Sequence, residues 1–207
     1  MARPSTDVAF TPSVKAIQEA RGSRAAYARV EARGGWAERV TPELAAFLAA
    51  RDSVYLATAS AAGQPYVQHR GGPRGFLRVL DDRTLAFADF RGNRQYISLG
   101  NLAENDRCFL FAMDYAERRR IKIWGAARVV TGDAALLGRL ADPAYDAVPE
   151  QAIVITVAAW NENCSQHIPQ LLHAEDVRRE FDALRARVAA LEEENRALRA
   201  RLAAQAR

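Results

Sequence analysis

The hydrophobic pattern changes its period near residue 50. Before residue 50, apolar residues recur at helical spacing, and three helix starts are visible at Thr11-Pro12, Ser23 and Thr41-Pro42-Glu43. From residue 53 onward, short runs of β-branched and aromatic residues alternate with turn residues, which is typical of strands. The sequence therefore predicts three N-terminal helices followed by a β-rich region.

The β-rich region contains about seven predicted strands. They span residues 53–60, 65–70, 76–80, 84–89, 107–115, 119–130 and 152–160. Short helices are expected at 93–104, with Asn93 as the N-cap, and at 133–140. Most links are of hairpin length, which favours an antiparallel barrel or sandwich over a parallel sheet. No GxGxxG motif stands at a strand-to-helix turn, so a Rossmann nucleotide-binding unit is not expected.

The C-terminal segment has a heptad pattern. Position a holds Phe181, Val188, Asn195 and Leu202, and position d holds Leu184, Leu191 and Leu198. Leucine at every d with one asparagine at a is typical of a parallel two-stranded coiled coil. The g and e positions of two such helices pair opposite charges: Glu180 with Arg185, Arg187 with Glu192, and Glu194 with Arg199. A zipper of about three heptads would be marginal alone, so we expect it to reinforce a homodimer that the globular domain already holds together; the alternative is an amphipathic helix packed on its own domain.

Composition and charge narrow the class of protein. The 207 residues are 49% hydrophobic and 26% charged, enough for one globular domain plus an appendage. The net charge of +4 comes from dispersed arginines, so nucleic acid is not an expected partner. No membrane span and no signal core are visible, which favours the cytoplasm. His69, Cys164 and His167 do not have the spacing of a metal site.

Two glycine-containing basic loops carry the candidate chemistry. They cover residues 69–74 and 90–95, each next to a predicted strand. Glycine lets a ligand approach the backbone closely. Arginines beside free backbone N–H groups suit an anionic phosphate. The loops therefore predict a phosphate-bearing cofactor or another anionic ligand.

The order of these elements resembles the pyridoxamine 5′-phosphate oxidase-like family of FMN-binding split barrels, in its uncharacterised branch. The resemblance rests on a hairpin ending at 68–70, a second hairpin running into 87–95, a following short helix, the strand at 120–130 and the segment 159–170. It implies a mainly β (α+β) fold, an antiparallel split β-barrel with flanking helices. The expected domains are an N-terminal helical extension (1–40), an FMN-binding split barrel (41–172) and a coiled-coil dimerisation helix (173–207).

The resemblance also implies which residues bind FMN. Those expected at the phosphate are Asn93, Arg94 and Gln95. The family often has a second basic residue at the position of Gln95, and Arg91 or Arg78 would compensate for the missing positive charge. Those expected along the flavin ring are Gln68, His69, Arg70, Gly71, Phe87, Ala88 and Asp89. The C-terminal segment would contribute Trp160, Asn161 and Gln166. Sites in this family form between two subunits, which again implies a homodimer.

The implied function is that of an FMN-dependent oxidoreductase with an unidentified small substrate. Arg70, Arg74 and Arg78 would attract an anionic substrate. No catalytic nucleophile or base is evident. Three alternatives stay open: haem with His69 as axial ligand, a deazaflavin in the same barrel, and a non-catalytic flavin carrier whose zipper recruits a partner. Trp36 and Trp124 are expected in the core.

Overall fold

The structure is a computed structural model that describes residues 3–163 and 165–205. Within these residues the helices are α1 Pro12–Ala20, α2 Arg24–Ala32, α3 Pro42–Ala49, α4 Ile97–Glu104, α5 Ala134–Leu140 and α6 Ala174–Gln205. The strands are β1 Ser53–Ala59, β2 Pro65–Gly71, β3 Arg78–Val79, β4 Thr84–Phe90, β5 Arg107–Asp114, β6 Arg119–Val130 and β7 Pro149–Asn163. A 3₁₀ turn, Ser5–Val8, precedes α1.

The chain divides into two compact units. One unit runs to Asp114 and resumes over Arg119–Gln166; it holds α1–α5 and the strands. The other takes Tyr115–Arg118 and the chain from His167 onward, which includes α6. The domain boundaries expected at residues 40 and 172 stay a prediction.

The strands of the first unit form one antiparallel sheet in the order β2-β1-β5-β6-β7-β4-β3. The predicted α+β class and the antiparallel split barrel are thereby confirmed. In this order β2 lies at one end of the sheet, and β4 lies next to the other end. The two strands are not paired by backbone hydrogen bonds, so they flank the split of the barrel.

Strand β4 shows how the sequence builds the interior. Its residues alternate large and small, and both faces are buried. Leu85 and Phe87 join the main core inside the barrel. Ala86 and Ala88 join a second cluster with Leu140 of α5. The small alanine side chains let α5 cover the outer face of the strand closely, while the larger ones fill the barrel.

Gly125 marks a bulge where β6 crosses β7. The register shifts between Trp124 and Gly125. A Cβ atom at Gly125 would lie 2.4 Å from the carbonyl oxygen of Thr156, which is far inside van der Waals contact. Bulges increase local twist and bend the strand, so glycine is required here for a long strand to curve around the barrel.

The three predicted N-terminal helix starts agree with the structure, but only two of them have a side-chain cap. The hydroxyls of Thr11 and Thr41 accept hydrogen bonds from the backbone N–H groups three residues later, and each is followed by proline at the first helical position. Ser23 occupies the N-cap position of α2, yet its hydroxyl donates to the carbonyl of Gln18 at 3.5 Å instead. The helix start predicted at Ser23 is therefore confirmed, but the Ser23 side chain does not form the capping hydrogen bond.

Two predicted elements are shorter than expected. Strand β3 is reduced to Arg78–Val79, because Phe76 and Leu77 turn into the core. Helix α4 begins at Ile97 with Tyr96 as its N-cap, so the predicted start at Asn93 is wrong. The Asn93 side chain accepts from the backbone N–H of Gln95 at 3.2 Å. This local bond holds a turn and leaves residues 91–96 as a loop.

Helix α6 is exposed along its described length. Its apolar residues at the a and d positions are 45–66% exposed within the single chain. Among the described residues, no helix is both long enough and apolar enough to cross a membrane.

Candidate functional site

Three polar side chains meet where the barrel is split. Arg70 of β2 donates through Nη1 to Oδ1 of Asp89 on β4. The other carboxylate oxygen of Asp89 accepts from Nε2 of Gln151 on β7 at 2.7 Å. Asp89 is only 5% exposed. Because β2 and β4 share no backbone hydrogen bonds, this side-chain network joins the two sides of the split.

The alternation of β2 explains why Arg70 reaches this position. Gln68 and Arg70 point to one face of the strand and are half-buried, whereas Val67 and His69 point to the other and are exposed. Gln68 accepts a hydrogen bond at 2.9 Å from the hydroxyl of Ser98 in the first turn of α4. Strand β2 thus presents two polar side chains toward α4 and β4.

The Arg70 guanidinium is incompletely bonded. Its Nε–H is buried and has no hydrogen-bond partner among the described residues. Burial lowers the pKa of Arg70, and the Asp89 carboxylate opposes that shift. A buried donor without an acceptor costs about 1–3 kcal/mol. This orphaned donor is therefore a position where an acceptor atom of a ligand would be stabilising.

The loop between β4 and α4 forms the other wall. Arg94 and Tyr96 both have left-handed backbone conformations, with φ of 59° and 53°. Such residues cost about 1–3 kcal/mol each and cluster at ligand sites. Tyr96 is also the N-cap of α4 and provides no side-chain cap, so the first N–H groups of the helix lack that partner. The loop has the backbone features of an anion-binding turn.

Charges around this loop nearly cancel, except at one residue. Arg91 donates to Glu150 at 2.8 Å, and the hydroxyl of Tyr96 lies 3.5 Å from the second oxygen of the same carboxylate. Asp89 neutralises Arg70 in the same way. Within residues 3–163 and 165–205, Arg94 forms no ion pair and is exposed. Arg94 thus supplies the one uncompensated positive charge of these three arginines.

These groups surround a small cleft, which we call the split cleft. Its volume is about 40 Å³. It is lined by Gln68, Arg70, Asp89, Phe90, Gly92, Asn93, Arg94, Tyr96, Leu99 and Glu150. Pockets that enclose a drug-sized ligand measure roughly 300–1000 Å³. In one chain the split cleft is therefore sized for a single compact anionic group and does not enclose a three-ring system.

The structure brings together only part of the predicted FMN site. Five of the predicted residues line the split cleft: Gln68, Arg70, Asp89, Asn93 and Arg94. Gly71, Arg91 and Gln95 are adjacent to lining residues in sequence without lining the cleft themselves. The remaining seven do not line it either. Two of them, His69 and Ala88, are also adjacent to lining residues in sequence, but their side chains lie on other faces of their strands.

Those seven residues have other environments. The side chains of Phe87 and Ala88 are in the two core clusters. His69 packs edge-on against Tyr55 on the exposed face of β2. Arg78 is exposed on β3, and Gln166 is exposed in a turn. Trp160 and Asn161 line a different cavity.

Sequence reasoning missed the contribution of β7. Glu150 and Gln151 follow the loop by more than 50 residues, and no motif singles them out. Strand pairing places Gln151 directly opposite Asp89. One sequence signal for Gln151 was available. Counting back from the last residue of β7 in steps of two, as strand alternation requires, places this polar residue on the face toward the core.

Comparison with known proteins gives a family and several structural likenesses. A family model described as pyridoxamine 5′-phosphate oxidase matches residues 40–193. Solved structures similar to this chain include tagged HupZ from Group A Streptococcus, at 20% identity and a TM-score of 0.49, covering 64% of this chain and 98% of that one. No curated protein matches the chain.

Two further solved structures are similar. A putative pyridoxamine 5′-phosphate oxidase from Lactobacillus delbrueckii has 20% identity and a TM-score of 0.47, covering 60% of this chain and 95% of that one. An FMN-binding protein from Syntrophomonas wolfei has 14% identity and a TM-score of 0.46, covering 75% and 99%. Because the family model spans well over half of the 207 residues, the chain belongs to the pyridoxamine 5′-phosphate oxidase family.

Proposed function

We propose that this protein is an FMN-binding flavoprotein that acts as an oxidoreductase on a small substrate, in the form of a homodimer. The observation that carries the proposal is the orphaned Arg70 Nε–H in a cleft whose rim holds the unpaired Arg94. Both groups are suited to a phosphate oxygen. Membership of the pyridoxamine 5′-phosphate oxidase family supports a flavin as the bearer of that phosphate.

The residues of the split cleft fit the phosphate end of FMN. Arg94 would supply a charge-assisted hydrogen bond from the rim, and Arg70 would supply its buried Nε–H. The loop backbone around Tyr96 and the first turn of α4 would add N–H donors. Asn93 holds this loop in place through its bond to the Gln95 backbone. FMN, when bound, supplies reversible hydride or electron transfer at its ring.

The ring would lie outside the cleft, along the open edge of β2. An edge strand presents unpaired backbone N–H and C=O groups, which suit the polar edge of an isoalloxazine. The side chains of Gln68 and Arg70 are on the side of β2 that faces the cleft. Trp160, Asn161 and Gln166 do not line the cleft in one chain. Their contact with the ring would come from a second subunit of the proposed homodimer.

The homodimer is supported by α6. Its a and d residues form one exposed apolar row, and its single a-position asparagine would pair with its twin in a parallel coil. The charged residues at e and g form no ion pairs within the described part of one chain, whereas three opposite-charge pairs would form between two parallel copies. We infer that the occupant of this row is α6 of a second copy.

The phosphate assignment is tested by comparing FMN with riboflavin, which lacks the phosphate. Titration of the flavin-free protein, followed by flavin fluorescence, should show FMN binding tighter than riboflavin. Arg94→Gln should weaken FMN by about tenfold or more and leave riboflavin unchanged. The matched control is Arg128→Gln, an exposed arginine of β6 that forms no ion pair with the described residues. Equal losses in both variants, or equal losses for both ligands, would refute the assignment.

Catalysis and cofactor identity need a second measurement. The visible spectrum of the purified protein should show the bands of oxidised flavin. Anaerobic NADH or NADPH should bleach them, and air should restore them. A Soret band would indicate haem instead, and flavin bands that neither NADH nor NADPH bleaches would indicate a carrier. Deletion from Ala174 onward should weaken the dimer, so sedimentation should show a larger monomer fraction at low protein concentration; an unchanged dimer dissociation constant would contradict pairing through α6.

A further inference from the structure

A second cavity lies between the N-terminal helices and strands β6 and β7. It measures about 580 Å³, within the roughly 300–1000 Å³ of small-molecule pockets. All three tryptophans of the chain line it: Trp36, Trp124 and Trp160. We call it the tryptophan cavity. It shares no lining residue with the split cleft. One wall comes from residues 9–37, which precede the stretch that matches the family.

The aromatic wall of this cavity is ordered by direct contacts. Trp36 and Trp124 stack at 4.8 Å between ring centroids with an interplanar angle of 16°. Phe10 packs edge-on against Trp36 at 5.0 Å and against Tyr27 at 5.1 Å. The expectation that Trp36 and Trp124 are core residues is therefore wrong, since both are half-buried at a cavity surface.

The loop before Trp36 is fixed by a glycine. The hydroxyl of Ser5 donates to the carbonyl of Trp36 at 2.7 Å. Gly35 has φ of 83°, and a Cβ there would lie 2.4 Å from the Ser5 hydroxyl. Only glycine permits both the backbone conformation and the close approach. The wall is thus pre-formed, which lowers the entropic cost of binding a ligand.

One cation enters the cavity without an anionic partner. The ammonium of Lys122 lies 5.4 Å from the ring centroid of Trp124 and 5.7 Å from that of Trp36. Within the described residues it forms no ion pair. Glu162, which also lines the cavity, accepts two hydrogen bonds from Arg119 at 2.8 and 3.0 Å. Burial lowers the pKa of Lys122, and nearby Arg120 lowers it further.

We propose that the tryptophan cavity binds a planar aromatic anion, such as an aromatic carboxylate. Its rings would pack among the aromatic side chains, and its acid group would accept a hydrogen bond from the Lys122 ammonium. A neutral aromatic ligand would leave the partly desolvated lysine without an acceptor. An aliphatic anion would leave the aromatic wall without a stacking partner. The site is additional to the flavin site proposed above and does not depend on it.

The three tryptophans make this binding directly observable. In an amide correlation NMR spectrum of the full-length protein, the three indole N–H signals all report on this cavity. Titration with 2-naphthoate should shift these signals saturably. The uncharged analogue 2-naphthamide should bind about tenfold more weakly or worse. Absence of indole shifts, or equal affinity for the two compounds, would overturn the proposal.

Two variants assign the charge preference to Lys122. Lys122→Met keeps the length of the side chain and should remove the preference for naphthoate over naphthamide. Lys122→Arg should retain it, which separates lost charge from altered folding. Arg94→Gln, which acts on the flavin phosphate, should leave naphthoate binding unchanged. If saturating FMN abolished naphthoate binding, the cavity would belong to the flavin site, and the proposal of a separate site would be wrong.

Discussion

Two arginine–aspartate ion pairs in the barrel are equally buried but unequally bonded. Arg51 pairs with Asp114 at 2.5 Å, and its remaining nitrogens donate to the carbonyls of Phe47 at 3.3 Å and Met113 at 3.1 Å. Arg70 pairs with Asp89, but its Nε–H has no acceptor. The arginine side chains are 12% and 11% exposed. Equal burial therefore does not explain the difference.

The difference separates a structural pair from the pair that we propose to bind a ligand. Arg51 also lies over the ring of Phe47 at 4.8 Å, so each part of its guanidinium has a partner. Its bonding is complete within the fold. Arg70 keeps one donor directed to no protein atom, at the edge of a cleft with an unpaired arginine. Arg120 Nε is also buried without a partner, but of these two donors only that of Arg70 belongs to a residue that lines the split cleft.

The largest expected effect is on stability, at the completed pair. Arg51→Met removes the cation and leaves a buried carboxylate and two carbonyls with fewer donors. We expect the free energy of unfolding to fall by about 3–5 kcal/mol, as measured by urea denaturation. FMN affinity of the folded protein should stay within about twofold. A loss of FMN binding without a loss of stability would contradict the structural role of Arg51.

Replacing each arginine with lysine should separate the two pairs. Lysine keeps the charge but has no Nε–H fork. Arg70→Lys should weaken FMN by about tenfold, because one hydrogen bond to a charged group contributes about 1.5–3 kcal/mol, while stability changes by less than about 1 kcal/mol. Arg51→Lys should show the reverse, with lower stability and unchanged FMN affinity. Identical behaviour of the two variants in both assays would remove the distinction.

The two ion pairs can be compared with a buried thiol, whose pKa is set mainly by burial and not by an oppositely charged partner. Burial raises the pKa of Cys108 from 9.0 to about 12, with Asp106 as a lesser cause. The folded state therefore holds the proton while the unfolded state loses it. This contribution is complete below pH 9.0 and is lost as the pH rises toward about 12. Stability should fall by about 1.4 kcal/mol per pH unit in that range.

The control for this prediction is Cys108→Ala, which has no thiol to titrate. Urea denaturation of both proteins at several pH values above 9.0 should give a shallower decline for the variant. Parallel declines would show that other groups account for the loss of stability at alkaline pH.

The smallest expected effect is at the rim of the cleft. Glu150→Gln removes a carboxylate and releases Arg91 from its ion pair. Both changes favour a phosphate, so FMN should bind about threefold more tightly at low ionic strength, and added salt should reduce the gain. Glu104→Gln is a matched control on the exposed end of α4. An equal gain in FMN affinity in the control would show that the effect comes from the change in net charge alone.

The sequence predicted the strands well because each alternates or is bounded by turn residues. It also identified the loop at 90–95. The family resemblance named Gln68 and Arg70 of β2, but together with His69, which is on the exposed face of that strand. Prediction from the sequence failed where the same residues are compatible with two local arrangements. Asn93 can cap a helix or bond its own turn, and the structure has the turn. Phe76 and Leu77 can extend a hairpin or fill the core, and they fill the core.

The remaining gaps concern long-range register. Nothing near Gln151 in the sequence shows that it will face Asp89, because the pairing of β4 with β7 decides it. For the same reason the separation of Trp160 and Asn161 from the split cleft could not be anticipated. The packing of the N-terminal helices beside β6 likewise creates the tryptophan cavity from residues more than 80 positions apart, such as Trp36 and Trp124.

The barrel closes between β2 and β4 through side chains rather than a strand ladder. The side-chain contacts between β2 and β4 can break without disrupting any neighbouring backbone pairing. We therefore expect the barrel to open locally between these two strands far more often than the sheet unfolds. Amide hydrogens along the outer edge of β2 should therefore exchange early, well before those of β6. A ligand that accepts a hydrogen bond from the Arg70 Nε–H would stabilise the contacts between β2 and β4. Its binding would then be detected as slower amide hydrogen exchange at β2, even if no reaction occurs.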